Sequence, residues 1–138
     1  MTTMTTGAVP TDRVYTDIDS WLGLAPEGRL GDEALRVGVT ETVTEDTCVV
    51  CVELPRIDTM IEAGEPCALI WTVPLSLTAV YAPISGRVTA VNATVRDDPG
   101  IVARDPFHGG WLLAVSPTAG SSTAGLLTAS EYEDHVKR

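Results

Sequence analysis

Short apolar runs, most of them alternating with polar residues and closed by Gly, Pro or Asp, recur along the chain. That pattern predicts strands rather than long helices. Val14 to Leu22 (VYTDIDSWL) reads as a strand followed by a turn, and Ala25 to Asp32 (APEGRLGD), with its proline and glycines, as a loop or hairpin turn. Leu35 to Thr40 alternates as a half-buried strand, and the polar Glu41 to Thr47 predicts one helical turn. Cys48 to Leu54 is a β-branched run stopped by Pro55; Asp58 to Gly64 then turns the chain. Ala68 to Val73 and Ser76 to Val80 form an apolar hairpin, Pro83 to Gly86 a turn, and Arg87 to Val91 a further strand. Arg96 to Gly100 breaks the pattern, and Trp111 to Val115 is the last strand. Only the end reads as helix: Thr128 to Glu131 spells a capping box, with Tyr132 and Val136 one turn apart. The prediction is a mainly β sandwich or barrel with a short C-terminal helix, and the lack of a long helix excludes a parallel βαβ sheet.

Residues 1 to 12 are Thr-rich and unpatterned and predict a flexible tail, leaving 13 to 138 as a single domain. The longest apolar stretch, Cys67 to Ile84, approaches a membrane span in length. It contains Pro74, Pro83 and several hydroxyl residues, so two strands and a tight turn fit it better. No leader-like stretch opens the chain, and three cysteines are too few for a disulfide framework, which together predict a cytoplasmic protein.

The formal net charge is -10. That argues against nucleic-acid and membrane partners, both of which want a basic face, and favours a basic or polar protein partner. Of the nine basic residues eight are arginine, and the only lysine is Lys137. The arginine bias and the Ala/Val/Thr richness look like a high-GC bacterial genome. Cys48-Val-Val-Cys51 is a CxxC string, yet it sits in a β-branched run where residues three apart face opposite ways. Buried small hydrophobes are therefore expected at Cys48 and Cys51, and no metal site. His108 reads as a solvated loop histidine.

Several strings fall in the order of one family. They are Tyr15-Thr16 with Trp21-Leu22, Val37 to Glu41, Val52 to Pro55, Glu62-Ala63-Gly64, Tyr81 to Gly86 and Val91-Asn92. Asp98-Pro99 with Ile101-Val102, Asp105-Pro106, Gly109 to Leu112 and Glu131-Tyr132-Glu133 follow. Each is weak alone; together they span residues 15 to 133. The chain resembles the glycine cleavage system H protein, of the lipoyl-carrier family. The resemblance implies a flattened barrel-sandwich hybrid of the biotinyl/lipoyl-carrier type. It also implies a lysine on a hairpin tip, in a motif like ESVKA, to which lipoate is joined as an amide.

Here the corresponding stretch is Trp71 to Ser76 (WTVPLS). Counting from EAG places Pro74 at the lysine position; counting back from YAP places Leu75 there. Neither can form the amide, so lipoate attachment is not expected. Trp71, Val73, Leu75 and Leu77 share one parity. They read either as a core face or, with Pro74, as an exposed apolar tip that docks a partner or a second copy. The resemblance also implies acidic groups near a docked arm, making Glu41 and Glu53 candidates for a cleft that holds a small cationic ligand; Cys67 and His108 are the further candidates for that cleft.

The leading expectation is a non-catalytic, non-lipoylated H-like scaffold that binds a glycine-cleavage-like or other pathway enzyme, in specialised metabolism, or pairs as a homodimer. The alternatives are a carrier whose group rides on a cysteine or another residue, and a small enzyme using the H-protein cleft around Glu53 and His108.

Overall fold

The computed structural model describes residues 9–23, 34–45, 47–73, 76–123 and 125–136. Two antiparallel sheets face each other across one core. The larger contains β1 (Arg13–Tyr15), β2 (Ser20–Gly23), β3 (Leu35–Val39), β5 (Met60–Ile61), β8 (Gly86–Val91) and β9 (Leu113–Pro117), in the order β1-β2-β3-β9-β8-β5. The smaller is β4 (Cys48–Glu53), β6 (Pro66–Val73) and β7 (Ser76–Tyr81), in the order β4-β6-β7. Alternation drives Leu22, Val37, Val39, Val88 and Val115 of one sheet against Val49, Val52, Ile70 and Val80 of the other. The expected sandwich is present, but the sheets are not closed into a barrel.

Four short helices join this frame: α1 (Glu41–Thr44), α2 (Ala93–Asp97), α3 (Ile101–Arg104) and α4 (Ala129–Val136). The capping box is made as its spacing requires. The Thr128 N–H donates to Glu131 Oε1 at 2.9 Å and the Glu131 N–H to Thr128 Oγ1 at 3.2 Å. α2 and α3 depart from the expectation of helix only at the end. They are too short to show a helical period, and one side chain fixes the start of the first. Asn92 caps α2 through the Thr94 N–H, while its amide donates to the Gly109 and Trp111 carbonyls at 2.9 and 2.7 Å. β5 is likewise a two-residue strand inside the stretch expected only to turn, and β9 starts at Leu113, later than expected. The loop expected at Ala25 to Asp32 lies outside the described residues. So do residues 1–8, whereas Val9 and Pro10 are tied to the domain: the Val9 N–H donates to Glu133 Oε2 at 3.0 Å and the Tyr15 hydroxyl to the Pro10 carbonyl at 2.7 Å.

The far face of the large sheet carries a second cluster that docks α4. Tyr15 stacks on Tyr132 with ring centroids 4.9 Å apart. The Tyr132 hydroxyl donates to Asp19 Oδ1 at 2.6 Å and accepts from Thr40 Oγ1 at 2.7 Å. Asp19 holds a left-handed backbone (φ 71°), which aspartate tolerates in the β1–β2 turn. Beside this contact Trp21 lies flat over Gly38, its ladder partner, and donates to the Val39 and Pro106 carbonyls. A Cβ on Gly38 would sit 2.5 Å from the indole ring. Arg13 covers the other side of that ring at 4.4 Å and donates to the Phe107 carbonyl.

Two measurements check this packing. Gly38→Ala must push the indole aside and is expected to lower the unfolding free energy by about 1–3 kcal/mol in a denaturant titration. Burial, and secondarily the bond to Asp19, push the Tyr132 hydroxyl up to about 12, and burial raises Tyr15 as well. An unfolded tyrosine titrates near 10 (~10). The folded state therefore binds these protons more tightly. Its stability is complete below about pH 10 and falls as pH rises from there toward 12. Urea midpoints should drop over that window, less steeply in Tyr132→Phe; a flat profile in the wild type would contradict the assignment.

Candidate functional site

The register of the β6–β7 hairpin decides the outer surface of the small sheet. Ala68, Ile70 and Thr72 point inward and are buried, so Leu69, Trp71 and Val73 point outward. On β7, Leu77 lies opposite Trp71, and Ser76 opposite Thr72. Val73 is 54% and Leu77 49% exposed, with Trp71 half-buried beside them. The core-face reading of this parity is thus corrected, because the core side is already filled by Ile70 and Thr72. Pro74 and Leu75, the positions expected to correspond to the lysine, lie outside the described residues.

β4 extends the same surface through an irregularity. Cys48 pairs with Val73 and Val49 with Thr72, but Cys51 pairs with Trp71, so Val50 is an extra residue in the ladder. A straight strand would send Cys48 and Cys51 to opposite faces. The bulge instead leaves Val49 and Val52 buried and both cysteines exposed. The expectation of buried cysteines at Cys48 and Cys51 is therefore wrong. Val50, 52% exposed, adds a further apolar side chain. At the other end of the strand the Trp71 indole N–H donates to Glu53 Oε2 at 2.8 Å, pinning the ring along the sheet.

Where β4 meets the α2–α3 connection, a cleft of about 400 Å³ is lined by Val50 to Leu54, Arg96 and Pro99. It holds a carboxylate, a thiol and a guanidinium, from Glu53, Cys51 and Arg96. A second depression, of about 280 Å³, lies between Pro55–Met60 and Glu65–Cys67. Of the four residues expected to share a cleft, Glu53 lines the first and Cys67 the second. Glu41 is exposed in the first turn of α1. His108 is exposed after α3, 3.4 Å from Asp105. No hydrogen bond or ion pair among the described residues joins these four. Cys67 is buried, and burial pushes its thiol up to about 12, which keeps it protonated and unreactive at neutral pH. The described residues contain no group of three or more His, Cys, Asp or Glu placed to hold a metal ion. No described helix is long and apolar enough to cross a membrane.

The pattern of the family described as glycine cleavage H-protein matches residues 14–138. The chain is 36% identical over 129 residues to the glycine cleavage system H protein of Halorhodospira halophila, covering 93% of this chain and 95% of that one. It is 37% identical over 125 residues to the glycine cleavage system H protein of Rubrobacter xylanophilus, covering 90% and 91%. The crystal structure of a glycine cleavage system H protein from Mycobacterium marinum matches with a TM-score of 0.85 and 36% identity, over 94% of this chain and all (100%) of that one. The chain belongs to the glycine cleavage H-protein family.

Within this H-protein frame the described parts of β6 and β7 share their outer face with the bulged β4, and Arg96 lines the cleft along β4. Val50 and Arg96 were not among the expected site residues. Val50 reads as one more β-branched strand residue, and Arg96 falls in a stretch that reads only as a breaker. The thiols give a direct check. Iodoacetamide on the native protein should label Cys48 and Cys51 and spare Cys67, as read by peptide mass mapping. Equal labelling of Cys67 without denaturant would contradict its burial.

Proposed function

We propose that this H-protein-family chain is a non-catalytic docking protein that carries no lipoyl arm and binds a partner enzyme through the outer face of its small sheet. The observation that carries the reading is the absence of an amine. The only lysine is Lys137, and the hairpin positions that correspond to the family's lipoyl lysine are proline and leucine. Lipoate is held as an amide, and no side chain of the hairpin supplies the nitrogen. The residues present therefore do not fit that group, and no step is routed through it.

The surface that would replace the arm supports the same reading. Trp71, Val73, Leu77 and Val50 form an apolar centre, with Trp71 held by Glu53. Monomeric proteins rarely leave such a patch uncovered, and tryptophan is enriched among the residues that dominate binding. The net charge of -10 favours a partner whose contact surface is basic, and it opposes pairing of two identical chains. The partner is proposed to be an enzyme of a glycine-cleavage-like or other specialised pathway in a bacterial cytoplasm.

Calorimetry with the purified aminomethyltransferase and decarboxylase of the same organism tests this. Binding to one of them is expected, with Trp71→Ala weakening it by about 30-fold, the equivalent of roughly 2 kcal/mol for a central tryptophan. Unchanged affinity in Trp71→Ala, with the circular dichroism spectrum intact, would contradict the docking role. The exposure of Cys51 favours a second reading, a carrier whose group rides on that thiol. It requires a covalent adduct on Cys51 in protein taken from its source, and a Cys51→Ser chain that stays unmodified.

A further inference from the structure

We infer that Cys48 and Cys51 together form a two-thiolate site for a soft cation of low coordination number, Cu(I). The bulge is what creates it. Cys48 lies opposite Val73 and Cys51 opposite Trp71, two positions apart on β6, so the two cysteines are same-face neighbours rather than residues on opposite sides of a strand. Both are exposed. Their partners Val73 and Trp71 stand two steps apart on β6, a span of about 6.7 Å, with Val50 the extra residue between the cysteines. The sulfurs can still lean together to the roughly 4.6 Å spanned by two collinear metal–thiolate bonds of about 2.3 Å. Such a spacing suits a bridging ion.

The surroundings select the ion. Thiolates are soft donors and prefer Cu(I) or zinc. Zinc wants four ligands, and the described residues offer no third His, Cys, Asp or Glu to the pair. Cu(I) is satisfied by two. Trp71 and Val73, the ladder partners of the two cysteines, are the apolar residues opposite them, while the net negative charge of the chain draws cations in. On binding, each thiol releases its proton to solvent, two copper–sulfur bonds form, and copper stays in the +1 state. The bound unit then carries one negative charge.

The test is an anaerobic titration of the full chain with Cu(I) as its acetonitrile complex, in competition with a chromophoric Cu(I) chelator. A single ion is expected to be held per monomeric chain. Cys48→Ser and Cys51→Ser should each weaken binding at least tenfold, and Cys67→Ala should leave it unchanged. Both serine replacements are on the exposed face, and circular dichroism verifies that the variants fold. Wild-type affinity in either serine variant would overturn the site. So would a copper-dependent dimer on size exclusion, since the ion would then bridge two chains instead of two cysteines of one.

Discussion

Burial of Ile70 and Val80 fixes the direction of the described side chains along β6 and β7. Ile70 is fully buried and Val80 nearly so. Because a strand alternates, slipping the register by one residue would expose both and drive Trp71 and Leu77 into a core with no room for an indole. The inner face therefore dictates the outer one. The outer surface is a consequence of packing on the inner one, not an independent feature. The same constraint shapes β4. Val49 and Val52 must both reach the core, and an extra residue between them is accommodated only as a bulge.

The large sheet serves as the platform behind this surface. Its far face is closed by α4 through Tyr15, Trp21 and Tyr132, and Tyr132 ties the last helix to the β1–β2 turn and to the N-cap of α1. The C-terminal helix thus locks three elements remote in sequence. The exposed ion pairs contribute little by comparison. Arg87–Asp58 and Arg104–Asp98 are solvated on both sides, and such pairs contribute about 0–1 kcal/mol.

Much of this was legible in the chain because it rests on local patterns. The alternating runs located β3, β4, β6, β7 and β8, and the Thr128–Glu131 capping box located α4. The family strings tied these elements into one architecture. What escaped has a common physical cause: it depends on contacts distant in sequence. Asn92 caps α2 and binds the Gly109 and Trp111 carbonyls, and no period within the four or five residues of α2 or α3 reports such contacts. The bulge at Val50 is visible only once β4 is set against β6, and simple alternation therefore sends to opposite faces two cysteines that are both exposed. Parity likewise grouped Trp71, Val73 and Leu77 correctly on one face. It could not say whether that face was inner or outer, because the residues on both faces are largely apolar. The expected cleft of Glu41, Glu53, Cys67 and His108 gathers residues by chemistry, and the fold sets Glu41, Glu53 and His108 apart on the surface and buries Cys67.

The missing amine is the point on which the functional account turns, and the intact mass of the protein purified from its native source, grown with lipoate and kept non-reduced, tests it most directly. The account predicts the mass of the bare polypeptide. A mass raised by a lipoyl group, mapped to any residue of the chain, would contradict it and return the protein to the arm-carrying members of its family.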